Sequence, residues 1–190
     1  MFHTVCFYNC QNTKNKVKKE ALVSIFQRNK LLTLKKPTEL MKHLKIGDKA
    51  PNFITEDQDG SEVKLSDFEG FKLVLYFYPK DNTPGCTTQA CNLSDNYEVL
   101  LQKGFKVLGV SPDSAKSHKK FIEKHSLPFP LLMDEDKKII NDYGVWGEKK
   151  FMGKIYDGIH RTTFVIDENG VIENIIEKVK TKVHTEQILG

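Results

Sequence analysis

Residues 73–103 carry the strongest structural signal in the chain and read LVLYFYPKDNTPGCTTQACNLSDNYEVLLQK. The first six residues form a continuous apolar and aromatic run, which is typical of a strand buried on both faces. From Cys86 to Lys103 the apolar residues recur at helical spacing, and Gly104 marks the end of the predicted helix. A buried strand followed by a helix predicts an α/β layered fold.

The sequence on both sides of this stretch extends the pattern. Two hairpins are predicted, each around a Gly-containing turn, and between them further strands alternate with helices. The hairpins pair Phe53–Glu56 with Glu62–Leu65 and Thr162–Asp167 with Val171–Ile176; the other strands are Lys106–Val110 and Leu131–Met133, and the other helices follow Ser114, span Asp134–Tyr143 and begin at His184. We therefore expect an α/β, thioredoxin-like fold, with a mixed central sheet flanked by helices and an added N-terminal β-hairpin.

Charge divides the chain into two regions. Residues 1–42 contain nine basic and two acidic residues, whereas residues 43–190 contain 20 basic and 23 acidic residues. We expect residues 1–42 to be a flexible basic extension and residues 43–190 to be the folded domain. The mildly acidic domain lacks the basic signature of nucleic-acid or anionic-lipid binding, and no apolar run is long enough to span a membrane.

The role of residues 1–42 stays open at this point. They lack the apolar segment of a secretory signal, and one Arg and one Ser fit a mitochondrial presequence poorly. Met41 is an alternative start, in which case the extension is not part of the native protein. We expect a cytoplasmic protein, with organellar targeting by residues 1–42 left open.

Cys86 is the candidate reactive residue. Thr83 suits a helix N-cap and Pro84 the first helical position, so Cys86 is expected in the first helical turn. Helix N-termini lower the pKa of a thiol, which otherwise leaves only about 3% thiolate at pH 7. The position also follows a central strand, where open α/β sheets place their ligand crevices.

Cys91 lies five residues after Cys86. In an ideal helix their Cα atoms are roughly 8.7 Å apart, farther than the about 7 Å that a disulfide tolerates. The two sulfurs therefore either stay reduced or pair only after the helix unwinds.

Arg161 is one of only two arginines in a chain with 29 basic residues, and it directly precedes a predicted buried strand. A guanidinium at that position indicates that its rigid multi-donor fork matters. Facing Cys86, it would favour the thiolate and could hold a polar leaving oxygen.

These residues together resemble the peroxiredoxins. The pattern P-x-x-x-T-x-x-C is present as Pro79, Thr83 and Cys86, accompanied by Cys91 and Arg161. The Cys-x4-Cys spacing and the run YGVWGEKKFMGK at residues 143–154 are similar to the bacterioferritin-comigratory, or Q-type, group. The resemblance covers about residues 45–189.

The resemblance implies a thiol peroxidase that reduces hydrogen peroxide and organic hydroperoxides. Cys86 would be the peroxidatic nucleophile and Cys91 the resolving cysteine, which forms an intramolecular disulfide with it. Thr83 would orient the peroxide, Arg161 would stabilise charge as the O–O bond breaks, and Pro79 would shield the site from water. Thioredoxin would be the reductant, the enzyme would act as a monomer, and no metal or organic cofactor would be needed.

Less specific interpretations remain. Cys86 could be inert, Thr83 only an N-cap, Arg161 a surface ion pair and Cys91 a buried structural residue. The other classes are a zinc module built from Cys6, Cys10, Cys86 and Cys91 and a thioredoxin-like disulfide carrier without peroxidase activity. The sequence assigns surface or packing roles to His118, His125 and His160.

Overall fold

The computed structural model describes residues 44–151 and 153–190, and the predictions for residues 1–42 lie outside this part of the chain. The described residues contain nine strands and five α-helices. These are β1 (Ile54–Glu56), β2 (Glu62–Lys64), β3 (Lys72–Phe77), α1 (Pro84–Asp95), α2 (Tyr97–Gln102), β4 (Phe105–Ser111), α3 (Ala115–His125), β5 (Leu131–Met133), α4 (Lys138–Asp142), β6 (Trp146–Phe151), β7 (Lys154–Ile159), β8 (Thr162–Ile166), β9 (Ile172–Ile176) and α5 (His184–Leu189). Strands and helices alternate only between β3 and β6.

Five strands form the central sheet, in the order β5-β4-β3-β8-β9. β3 runs parallel to β4, and β4 runs parallel to β5, whereas β8 pairs antiparallel with both β3 and β9. β1 and β2 form a separate N-terminal hairpin. The mixed sheet with helices and the added hairpin are confirmed.

Strand β3 separates two hydrophobic clusters, because alternate side chains of a strand point to opposite faces of the sheet. Leu73, Leu75 and Phe77 pack on one face, and Val74 and Tyr76 pack on the other. The second cluster includes the buried face of α1 and the Cys86 side chain. The candidate nucleophile is therefore seated against the central strand of the sheet.

The single helix predicted from Cys86 to Lys103 is wrong, because the chain bends at Asn96 and forms two helices. Asn96 has φ −110° and ψ 14°, outside helical geometry. Its side-chain amide donates to the carbonyl of Asn92 at 2.8 Å, the group that its own backbone N–H would use in a helix. Asparagine side chains compete with helical hydrogen bonds in this way.

The helix predicted at Asp134–Tyr143 begins later, at Lys138. The Asp134 carboxylate instead accepts the N–H groups of Ile139 and Ile140, at 3.0 and 2.7 Å, and so supplies the missing partners at the helix start.

The hairpin of β6 and β7 was not predicted. Its strands contain three Lys and two Gly residues and lack the alternation that marks a half-buried strand. Gly153 provides the turn, with φ +79°. No helix in the described ranges is long and apolar enough to cross a bilayer.

Candidate active site

Helix α1 begins where the sequence indicates. Thr83 is the N-cap, with extended backbone angles, and Pro84 is the first helical residue. The first helical hydrogen bond runs from the N–H of Thr87 to the carbonyl of Thr83, at 2.9 Å. The N–H groups of Gly85 and Cys86 thus lie in the turn that lacks intrahelical acceptors, at the positive end of the helix dipole.

The Thr83 hydroxyl does not cap the helix. It donates to the carbonyl of Lys80 at 3.1 Å, within the loop that joins β3 to α1. Pro79 lies in the same loop and is half-buried. The loop is thus folded back on itself just before the helix that carries Cys86.

Cys86 and Arg161 are in direct contact. Arg161 Nη2 donates to Cys86 Sγ at 3.2 Å, and only 2% of the Cys86 surface is exposed. The sheet register explains the contact, because Thr162 pairs with Phe77 at the carboxyl end of β3. Arg161 therefore stands beside the loop that leads to Cys86. This arrangement places a cation and a hydrogen-bond donor on the sulfur.

Gln89 is a site residue that the sequence interpretation missed. It is fully buried one helical turn after Cys86, and its Oε1 accepts a hydrogen bond from Arg161 Nη1. Residues three apart on a helix share a face, and this spacing could have identified Gln89. The two arms of the guanidinium thus bind one residue each, and both residues lie on α1.

Lys149 contributes a second positive charge from β6. Its ammonium donates to the carbonyl of Ile159 at 2.8 Å. Burial, together with the positive charge of Arg161, lowers the pKa of Lys149, and the opposite influence of Cys86 is smaller. The unpredicted hairpin therefore brings a lysine within electrostatic range of the Cys86–Arg161 pair.

A buried polar network anchors the loop before Thr83. The Asp81 carboxylate accepts hydrogen bonds from Tyr78 Oη and Ser117 Oγ, both at 2.7 Å, and lies 2.9 Å from His118 Nδ1. Burial raises the pKa of Asp81, but the hydrogen bonds from His118, Ser117 and Tyr78 outweigh it, so the pKa lies below its usual value. The loop is fixed to α3 through these contacts.

His118 is fully buried, and its second ring nitrogen, Nε2, lies 3.3 Å from the carbonyl of Leu132. The closest neighbours of its two ring nitrogens, the Asp81 carboxylate and the Leu132 carbonyl, are both acceptors. The interpretation of His118 as a surface or packing residue misses this role, whereas His160 is exposed as expected.

The structure does not pair Cys91 with Cys86. Both lie in the unbroken helix α1, and both are free thiols. Cys91 is half-buried, with its sulfur 4.0 Å from His125 Nδ1, and burial, with a smaller effect from Asp95, raises its pKa. The spacing argument from the sequence holds for this conformation: a disulfide requires α1 to unwind.

The zinc interpretation has no support in the described ranges, where no group of three or more His, Cys, Asp or Glu residues could hold a metal ion. Cys6 and Cys10 lie outside these ranges.

Comparisons with known proteins place the chain among relatives of known type. The AhpC/TSA family profile matches residues 46–175. The chain is 51% identical over 150 residues to peroxiredoxin Bcp of Escherichia coli, covering 79% of this chain and 96% of that protein. It is 48% identical over 146 residues to peroxiredoxin Bcp of Bacillus subtilis, covering 77% and 93%.

The chain is also similar to solved structures of related proteins. A cysteine-to-serine variant of PrxQ from Xylella fastidiosa superposes with a TM-score of 0.72 at 37% identity, covering 78% of this chain and 94% of that one. The bacterioferritin comigratory protein of Xanthomonas campestris, whose structure was described for its alkyl peroxide reduction activity, gives a TM-score of 0.68 at 36% identity, covering 72% and 87%.

Proposed function

The chain belongs to the AhpC/TSA family of peroxiredoxins and is a thiol peroxidase, and we propose that Cys86 is the sulfur that attacks the hydroperoxide. The observation that carries this assignment is the contact between Cys86 Sγ and Arg161 Nη2 at the start of α1. A thiolate is both the nucleophile of this chemistry and the form of cysteine that a cation and a helix N-terminus favour.

In the proposed first step, the Cys86 thiolate forms an S–O bond with the terminal oxygen of the peroxide while the O–O bond breaks. The proton of that terminal oxygen passes to the leaving oxygen, which departs as water or an alcohol, and the sulfenate that remains on Cys86 takes up one proton from the solvent. Cys86 is left as a sulfenic acid, which is reversible. Both inorganic and organic hydroperoxides contain the bond that is broken.

Three neighbours of Cys86 serve this step in the proposal. Arg161 donates to the sulfur and to the oxygen atoms on which negative charge develops. The Thr83 hydroxyl, three residues before Cys86, orients the peroxide and the thiolate. Pro79 covers the loop side of the site and excludes water.

In the second step, Cys91 resolves the sulfenic acid. The first turns of α1 unwind, the Cys91 sulfur bonds to the Cys86 sulfur, and water leaves with the sulfenic oxygen. A thioredoxin-type dithiol protein then reduces the disulfide by thiol–disulfide exchange. Cys91 is half-buried on the same helix as Cys86. This supports the sequence of events, because unwinding of one helix releases both cysteines and lets their sulfurs meet.

The enzyme acts as a monomer in the cytoplasm in this proposal. The contact between Cys86 and Arg161 forms within one chain, which supports a monomer. Cys86 and Cys91 are free thiols, which suits a reducing compartment. Residues 1–42 are proposed as an extension that is separate from the catalytic domain. Size-exclusion chromatography with light scattering and cell fractionation test these assignments.

The decisive test compares two cysteine variants. Reduced Cys86→Ser should consume no hydrogen peroxide in stopped flow, whereas reduced Cys91→Ser should react once at the rate of the unaltered protein. Peroxide consumption by Cys86→Ser at half the original rate would contradict the assignment of Cys86.

A further inference from the structure

His184, on the short C-terminal helix α5, is a fully buried histidine that the mechanism above does not use. Its ring joins two neighbours. Nδ1 lies 3.2 Å from Gln89 Nε2, and Nε2 lies 2.9 Å from Thr163 Oγ1. Gln89 is the residue that accepts a hydrogen bond from Arg161, so two residues, Gln89 and Arg161, connect His184 to Cys86.

The chemistry of the donors determines which atom donates and which accepts in this series of hydrogen bonds. A guanidinium has no acceptor, so the Gln89 atom that faces Arg161 must be its oxygen. The Gln89 amide nitrogen then faces His184 and donates to Nδ1. Nδ1 must therefore carry a lone pair, and the neutral ring keeps its proton on Nε2, from which it donates to Thr163.

Electrostatics favour the same neutral state. Burial and, secondarily, the positive charge of Arg161 lower the pKa of His184 to about 4. His184 is thus an acceptor at Nδ1 under neutral conditions.

The hydrogen bonds close a ring. Arg161 and Thr163 are two residues apart at the start of β8. The series of hydrogen bonds leads from Arg161 through Gln89 and His184 back to Thr163. Helix α5 is also tied to α1 independently, because Thr185 N–H donates to Asn92 Oδ1 at 2.8 Å and Asn92 Nδ2 donates to the Lys182 carbonyl at 3.0 Å. The ring is therefore built on three fixed elements.

We propose that His184 is a positioning residue for the peroxidase reaction: by accepting a hydrogen bond from Gln89, it holds the Gln89 oxygen toward Arg161 and so aims the second guanidinium arm at Cys86. This inference rests on the proposed roles of Cys86 and Arg161. Without an acceptor at the His184 position, the Gln89 amide loses its orientation and can turn its N–H groups toward the guanidinium. Arg161 would then leave Cys86.

The test measures the second-order rate constant of reduced protein with hydrogen peroxide for two substitutions at one position. His184→Leu removes the acceptor and should lower the rate constant about tenfold, the lower end of the effect of losing one hydrogen bond to a charged group. His184→Asn places an oxygen near the Nδ1 position and should restore the rate to within about threefold of the original. Equal rates for the two variants would overturn the proposal.

A double-mutant cycle separates positioning from general damage to the fold. In an Arg161→Met background, His184→Leu should cause no further loss of rate, because its effect passes through Arg161. The same tenfold loss in both backgrounds would overturn the proposal. If the unaltered protein itself failed to react with peroxide, the proposed function would fail first, and the variants would not be compared.

Thr163→Val is the replacement test if the His184→Leu protein does not fold. It removes the acceptor of the Nε2 proton, so it frees the ring to place its proton on Nδ1, and it should lower the rate constant in the same direction, again only when Arg161 is present. Thr162→Val is the matched control: Thr162 is also buried, but its hydroxyl donates to the carbonyl of His160 and not to the ring. Thr163→Val with the same rate as Thr162→Val would overturn the proposal.

Discussion

Arg161→Lys keeps a positive charge near the carboxyl end of β3 but removes the two-armed donor. In the structure, the two arms bind different acceptors, Cys86 Sγ at 3.2 Å and Gln89 Oε1. A lysine carries a single ammonium nitrogen on a flexible stem and cannot reproduce this fork. We therefore expect the contact with Cys86 or the contact with Gln89 to be lost.

The size of the effect follows from the kind of contact that is lost. A hydrogen bond to a charged group contributes about 1.5–3 kcal/mol, and a barrier change of 1.36 kcal/mol is tenfold in rate. Arg161→Lys should therefore lower the second-order rate constant for peroxide by about 10- to 150-fold. Arg161→Met, which also removes the charge, should lower it further.

The assay is stopped-flow reaction of fully reduced protein with excess hydrogen peroxide, with circular dichroism to establish that each variant is folded. Arg28→Lys is the matched control, since Arg28 is the other arginine of the chain and lies outside the region matched by the family profile. If Arg161→Lys reacted within twofold of the original rate, the fork would be irrelevant to the reaction, and the argument from its two contacts would be refuted.

Three further predictions concern recycling, stability and pH. Cys91→Ser should keep the first peroxide turnover but lose sustained turnover with a thioredoxin-type reductant; normal steady-state rates would exclude Cys91 as the resolving residue. Asp81→Asn disturbs a buried hydrogen-bond network and should reduce the free energy of unfolding by about 1–3 kcal/mol in denaturant titration, whereas Asp59→Asn, at an exposed ion pair, should change it little. Between pH 6.5 and 4, His184 is protonated in the unfolded chain but stays neutral in the folded protein. The free energy of unfolding should therefore fall by about 3 kcal/mol more for the original protein than for His184→Asn over this range. Equal losses would contradict burial of a neutral ring.

The position of Cys86 at the start of a helix was predictable, because the residues that determine it are close in the sequence. Thr83 and Pro84 specify a helix start within two residues, and this places Cys86 in the first turn whatever the rest of the fold does. Arg161 was identified by its rarity, although its contact with the sulfur depends on the register between β3 and β8. That register was not visible in the sequence.

The parts that could not be predicted depend on long-range contacts. His184 and Lys149 reach the site from α5 and β6, and nothing near either residue in the sequence indicates this. Asp81 and His118 are separated by 36 intervening residues, and polar residue types are usually exposed, so a buried pair contradicts the local expectation. The break at Asn96 was missed because apolar spacing continues across it, while a side-chain hydrogen bond ends the helix.

The most direct test of the central claim is to locate the oxygen atom after one turnover. Reduced Cys91→Ser protein is mixed with one equivalent of hydrogen peroxide, treated with a reagent specific for sulfenic acid, digested and analysed by mass spectrometry. We predict that the peptide that contains Cys86 carries the label and that the peptide with Cys6 and Cys10 does not. Consumption of peroxide with Cys86 unlabelled would contradict the account.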